Sequence, residues 1–134
     1  MVKSCGALIL NIYIKKLNEE KLDNIPFHSN VNQLVRLVAK DIPFHVAVHQ
    51  IKCANDFPSE YVKPHKHDSD ELNLILAENG NELTYSIEID GNVSEVKSPS
   101  FIWIPKGKLH SANVIKGSGT FVCIILQEEY RAYD

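Results

Sequence analysis

Two short stretches of the chain carry side chains whose types and spacing suit metal-ion chemistry. In Pro64-His65-Lys66-His67-Asp68-Ser69-Asp70-Glu71, two histidines stand two residues apart. On an extended strand such side chains project to the same face, with Cα atoms roughly 6.6 Å apart, so two imidazoles can converge on one ion. Glu71 follows after three residues, enough for the chain to bend and return a carboxylate to the same side. A fourth ligand must come from elsewhere. Ile104-Pro105-Lys106-Gly107-Lys108-Leu109-His110 reads as a strand, a Pro/Gly turn and a new strand headed by His110, a placement that delivers a side chain at the mouth of a sheet. Three imidazoles and one carboxylate form a borderline donor set, suited to Fe, Mn, Ni, Cu or Zn and less to Ca or Mg, which prefer all-oxygen shells. A solvated loop pair is the ordinary explanation of His65 and His67 alone. With six His and ten Glu in the chain, however, H-x-H-x-x-x-E is expected only about 0.02 times by accident, and P-x-G-x-x-H lowers this roughly a hundredfold.

The elements that must position these groups read as strands. Apolar residues alternate with polar ones or fall in short β-branched runs, and Gly, Pro, Asn and Asp clusters divide the chain into short segments. Strands are expected over 7–15, 32–39, 44–52, 60–67, 71–77, 82–90, 93–97, 100–104, 110–115 and 119–127. Turn signals fall at Glu78-Asn79-Gly80-Asn81, Asp90-Gly91-Asn92 and Lys116-Gly117-Ser118-Gly119, and Asp90-Gly91 is a strong two-residue hairpin cue. Residues 18–30 read as a polar connector in which Leu17 to Leu22 could make one helical turn before Pro26. Residues 32–40 fit a helix face as well as a strand, and the β-rich neighbourhood favours strand. Ten short strands and no linker composition predict a single all-β domain, a sandwich or small barrel.

The two metal-ligand stretches resemble the cupin superfamily. The first looks like cupin motif one (glycine, five residues, H-x-H, three or four residues, E, six residues, glycine), and the second like motif two (P-x-G-x-x-H followed by an asparagine). The chain departs from the pattern at turns and not at ligands. Phe57, Pro58 and Ser59 stand where the opening glycine belongs, Gly80 comes eight residues after Glu71, and Asn113 is one residue early. The resemblance spans residues 44–127. It implies a jelly-roll, or double-stranded β-helix, barrel with the metal in its mouth, held by His65, His67, Glu71 and His110. The domain then divides into an N-terminal arm, 1–31, and a metal-binding barrel, about 32–127.

Strand parity nominates residues around the ion. His45, Ala47, His49 and Ile51 share one face of their strand, and Asn73 shares the parity of Glu71, so His45, His49 and Asn73 are expected to face the substrate. A partly wet face or a structural hydrogen bond explains them nearly as well. Tyr85, Phe101 and Trp103 could wall a pocket, although aromatic residues in strands are core more often than not. Asp68, Ser69 and Asp70 read as a turn, and His28 reads as a bystander.

Composition closes several alternatives. At 134 residues the chain can bury roughly two thirds of its unfolded surface, and 44% hydrophobic with 23% charged residues is an ordinary globular balance. Net charge is −3 with Lys and Arg scattered, so no nucleic-acid partner is expected. No apolar run is long enough to cross a bilayer. Cys5, Cys53 and Cys123 are an odd set without C-x-x-C spacing, which fits a reducing, cytoplasmic setting. Ala7 to Ile14 would expose an apolar edge unless paired with its own barrel or a partner's, so a homodimer is expected. By analogy within a fold that hosts many chemistries, the sequence points to a metal-dependent enzyme. Its substrate would be a small oxygenated molecule, with a dioxygenase ahead of an isomerase or lyase and Fe or Mn ahead of Ni, Zn or Cu. The alternative is a non-enzymatic small-ligand binding or sensing module.

Overall fold

The computed structural model describes residues 12–54 and 57–134. Among them run nine strands: β1 (Asn18–Glu19), β2 (Leu34–Val38), β3 (His45–Ile51), β4 (Glu71–Leu76), β5 (Leu83–Ile89), β6 (Asn92–Lys97), β7 (Ser100–Ile104), β8 (His110–Gly117) and β9 (Gly119–Ile125). They form two antiparallel sheets, one ordered β1-β2-β3-β9-β4-β7 and the other β6-β5-β8. This is the expected all-β jelly roll. Asp90 and Gly91 close the β5–β6 hairpin with φ of 50° and 84°, the two positive values that a two-residue turn matching the strand twist requires.

Three expected elements come out differently. Most of the strand expected over 7–15 lies outside the described residues, and its described end, 12–15, is turn and irregular backbone. The helical turn sits at Leu22–Asn24 rather than Leu17 to Leu22, because Asn18 and Glu19 pair with Val38 and Leu37. Residues 60–67 make isolated bridges instead of a continuous strand, with Val62 opposite His28, His65 opposite His110 and Lys66 opposite Tyr133. Pro64 has no N–H to give a ladder, and its neighbours send theirs to several segments. Those of Tyr61 and Val62 go to Asn113 Oδ1, at 2.8 and 2.9 Å, and that of Lys63 goes to the Phe27 carbonyl.

Antiparallel register sorts the interior into rows across the larger sheet. His45, Ile125, Glu71 and Ile104 lie side by side at one end. The next inward row is Val38, Ala47, Cys123 and Asn73, followed by Arg36, His49, Phe121 and Ile75. Polar groups thus crowd one end of the interior. The main core, built around Leu22, Ile51, Ile75, Leu83, Tyr85 and Phe121, fills the rest. The opposite face of the sheet is apolar as well. Leu37, Val48, Val122, Leu74 and Phe101 form one row, and Val46, Ile124, Leu72 and Trp103 another. Phe101 and Trp103 therefore lie on the outside, 59% and 58% exposed, and do not wall a pocket.

Candidate metal centre

The site is assembled where the polar end of the larger sheet meets the start of β8. Glu71 opens β4 with inward parity, and His110 opens β8 opposite Ile89. His65 and His110 exchange both backbone hydrogen bonds, at 2.9 and 2.8 Å, which fixes two of the histidines against each other. Two side chains lock the motifs together. Asn113 on β8 accepts from Tyr61 and Val62 and donates to the Val62 carbonyl at 3.0 Å, holding the approach to His65. Asp70 Oδ1 accepts the Lys106 N–H at 2.8 Å, and Oδ2 accepts from Trp103 Nε1 at 3.2 Å. The Gly107 N–H in turn bonds the His67 carbonyl at 2.9 Å.

His65, His67 and His110 are buried together, each offering a ring nitrogen within 4.8 Å of the others, and this trio could bind a metal ion. Their tautomers follow from a simple constraint. A backbone carbonyl only accepts, so a ring nitrogen bonded to one must carry the proton. His65 Nδ1 donates to the Lys63 carbonyl at 2.7 Å, His67 Nδ1 to that of Arg131 at 2.6 Å and His110 Nδ1 to that of Lys108 at 2.8 Å. In the neutral rings every Nε2 is then left with its lone pair inward.

Glu71 Oε1 lies 3.2 Å from His67 Nε2 and 3.0 Å from His110 Nε2. Lone pairs facing a carboxylate oxygen need a positive centre between them, and His67 Nε2 is buried without a hydrogen-bond partner. Without an ion, a proton on His110 supplies part of that charge. Burial opposes it, but the adjacent Glu71 carboxylate outweighs burial and raises the His110 pKa. Burial likewise pushes Glu71 upward, yet the hydrogen bond and charge of His110 and the Asn73 amide hold its carboxyl well below the usual range. The donor set fits a borderline divalent ion. The second oxygen, Oε2, accepts the Asn73 amide at 2.8 Å.

Of the residues expected to meet substrate, the structure brings His45 and His49 to the cavity wall beside the trio, whereas Asn73 lies behind Glu71 and does not line the cavity. The cavity has a volume of about 40 Å³, room for a few waters or one small ligand. Burial, reinforced by the Arg36 charge, pushes His45 down to about 4 and His49 down to about 3. Both rings are neutral at physiological pH.

Three wall residues escaped the sequence reading. His28 is no bystander. Its Nδ1 donates to the Pro26 carbonyl at 2.7 Å, its ring lies 5.2 Å from His65, and it lines the cavity. Tyr130 lies past the expected barrel boundary at 127, with its ring 5.0 Å from His45 and 5.2 Å from His67. Arg36 is the single charge in the strand Leu34-Val35-Arg36-Leu37-Val38, a signal that could have been read as an inward functional group. Tyr85, considered a pocket wall, does line the cavity.

The two antiparallel sheets share their fold with solved structures named as cupins, so the chain has a cupin fold. Solved structures of similar fold include a cupin-2 domain from Rhodospirillum rubrum, at TM-score 0.57 and 15% identity, covering 88% of this chain and 73% of that one. The polyketide cyclase RemF from Streptomyces resistomycificus aligns at TM-score 0.56 and 14% identity, covering 100% and 85%. KdgF from Halomonas sp. aligns at TM-score 0.52 and 10% identity, covering 81% and 92%. No protein-family model matches the chain, and no curated protein matches it in sequence. Among the described residues no helix is long and apolar enough to cross a membrane.

The buried neutral histidines carry a pH signature. A histidine whose folded pKa is depressed takes up its proton only in the unfolded state, so it costs stability as pH falls below about 6.5 towards its folded value. The wild type is expected to lose about 4 kcal/mol more stability between pH 7 and pH 5 than the His45→Gln, His49→Gln double variant, about 2 kcal/mol for each histidine. Urea midpoints at the two pH values check this, and equal losses would contradict the buried neutral assignment.

Proposed function

We propose that the chain is a metal-dependent cupin enzyme acting on a small oxygenated molecule, with a dioxygenase ahead of an isomerase or lyase. One observation carries the reading: three Nδ1–H bonds to backbone carbonyls leave Nε2 free on three clustered histidines, whose ring nitrogens lie within 4.8 Å of one another, and Glu71 sits against two of them. His65, His67, His110 and Glu71 would hold one divalent transition ion, Fe or Mn ahead of Ni, Zn or Cu. When bound, such an ion supplies Lewis acidity, a template for substrate oxygens and, for Fe or Mn, an electron path.

The chain's own residues divide the remaining work. His45 and His49, held neutral in the wall, are placed to accept a proton from a bound molecule or to orient it. Asn73 acts as a positioning residue, because its amide fixes one oxygen of Glu71 and leaves the other to face the imidazoles. Tyr130 covers the cavity from the C-terminal segment and keeps water out. The polyketide cyclase among the structures of similar fold supports the enzymatic side of the reading. A homodimer and a cytoplasmic setting belong to the same proposal. The first is supported by the outward apolar rows ending in Phe101 and Trp103, and the second by the free thiols of Cys53 and Cys123.

Anaerobically purified protein is expected to carry about one ion per chain, and the His67→Ala, His110→Ala double variant to lose it. Chelation should lower the melting temperature and leave the cooperative transition intact, since the core is built apart from the ion. In an O₂-uptake and product screen against small diols, enols, hydroxy acids and thiols, His49→Ala or Asn73→Ala should keep metal content. Each should cut turnover about a hundredfold, on the order of 3 kcal/mol. Full metal content in the double variant would sink the ligand assignment, and binding without turnover would place the chain among non-enzymatic receptors. Sedimentation of the wild type as a dimer, and of Trp103→Lys as a monomer, checks the association. A monomeric wild type would refute it.

A further inference from the structure

The wall of the cavity that the imidazole cluster lines also holds a cation with an unused binding edge. Arg36 on β2 is 2% exposed and lies in the same inward row as His49. Its Nη1 donates to Glu20 Oε1 at 3.1 Å, while its Nε and Nη2 are buried with no hydrogen-bond partner. Those two nitrogens share one side of the planar guanidinium, the edge that offers two parallel N–H groups to the two oxygens of a carboxylate. Leaving both unpaired in the interior is costly, since buried donors on a charged group carry the largest desolvation penalty.

The surrounding charge also calls for an anion. Glu20 is shared, its second oxygen lying 3.3 Å from Lys40 Nζ, so one carboxylate answers two cations. Glu71, the acidic group that lines the cavity, is engaged by His67, His110 and Asn73. The remaining polar groups of the wall are the rings of His28, His45, His49 and His65, the Cys123 thiol and the hydroxyls of Tyr85 and Tyr130, both buried and unpartnered. None of them brings a negative charge to the free edge of Arg36 at neutral pH. We propose that the cavity takes a small carboxylate-bearing molecule, its carboxylate on the Nε–Nη2 edge of Arg36 and its other polar end towards the imidazole cluster. With about 40 Å³ of cavity, the molecule is only a few heavy atoms long. The inference deepens the metal-dependent reading of the same site, but the Arg36 half rests on the unpaired guanidinium alone.

Calorimetric titration of the full chain, with its metal content measured, tests this in a low-chloride buffer free of carboxylate and phosphate. The probes are lactate, its neutral counterpart lactamide, and inorganic phosphate. Lactate should bind at least tenfold more tightly than lactamide and more tightly than phosphate. Arg36→Gln should abolish the preference for lactate over lactamide with metal content and lactamide affinity unchanged. An ion's own attraction for an anion is common to both proteins, so the difference reads Arg36. Glu20→Gln, which removes the competing negative charge, should raise lactate affinity severalfold, and it decides the matter if Arg36→Gln does not fold. Equal affinity for lactate and lactamide, tighter binding of phosphate, an Arg36→Gln protein that keeps the preference, or no gain in Glu20→Gln would each overturn the proposal. A metal-free protein with an Arg36-dependent preference would remove the metal reading and leave this one standing, whereas a metal-loaded protein without the preference does the reverse.

Discussion

A hydrogen bond from a histidine Nδ1 to a backbone carbonyl leaves no freedom about where the ring's other lone pair points, and the site depends on three such bonds. Each carbonyl comes from a segment that the fold must hold in place. Lys63 and Lys108 stand two residues before the histidines they orient, so the local backbone fixes those rings. Arg131 belongs to the C-terminal segment, tied back by the paired backbone bonds of Lys66 and Tyr133 at 2.6 and 2.8 Å. The last residues of the chain are thus part of the centre, and the jelly roll is the frame that brings a remote carbonyl to His67.

That frame separates two demands on one interior. Along β4, Glu71 and Asn73 face inward at the mouth and Ile75 faces inward in the core, so a single strand passes from polar site to apolar packing within five residues. Burying this much imidazole and carboxylate is tolerable because most of the groups hold one another. Asn73 braces Glu71, Glu71 faces two histidines, and the histidines return their second nitrogens to the backbone. Of the buried side-chain groups without a partner, His67 Nε2, the free edge of Arg36 and the hydroxyls of Tyr85 and Tyr130 belong to residues that line the cavity, whereas Asn73 Oδ1, Thr84 Oγ1 and Gln127 Oε1 do not. Unpaired polarity in a folded interior costs free energy, and a ligand in the cavity would answer the groups that line it.

Period-two patterning made most of the strands legible, and Asp90-Gly91 gave away the central hairpin. The inward parity of His45, His49 and Glu71 followed from the same alternation. Hydrophobicity alone would have misled on β4, where Leu72, Leu74 and Leu76 mark the outer face of the sheet. The segment at 60–67 looked like a strand because its composition is strand-like. Pro64 and the Asn113 side chain disperse its backbone donors, a tertiary effect that no local pattern carries. His28 and Tyr130 were missed for the same reason, since each reaches the cavity from a segment without regular alternation. Arg36 was in plain view as one charge within five apolar-patterned positions.

The central claim is that three carbonyl-oriented imidazoles and one carboxylate converge on a single ion. The most direct test is a crystal structure of the protein loaded with Mn²⁺, with anomalous scattering used to place the metal. The account predicts one anomalous peak per chain about 2.1 Å from Nε2 of His65, His67 and His110, with Glu71 Oε1 beside it and all three Nδ1 bonds to carbonyls intact. A peak bound through Nδ1, a peak elsewhere on the chain, or no peak in fully loaded protein would contradict it.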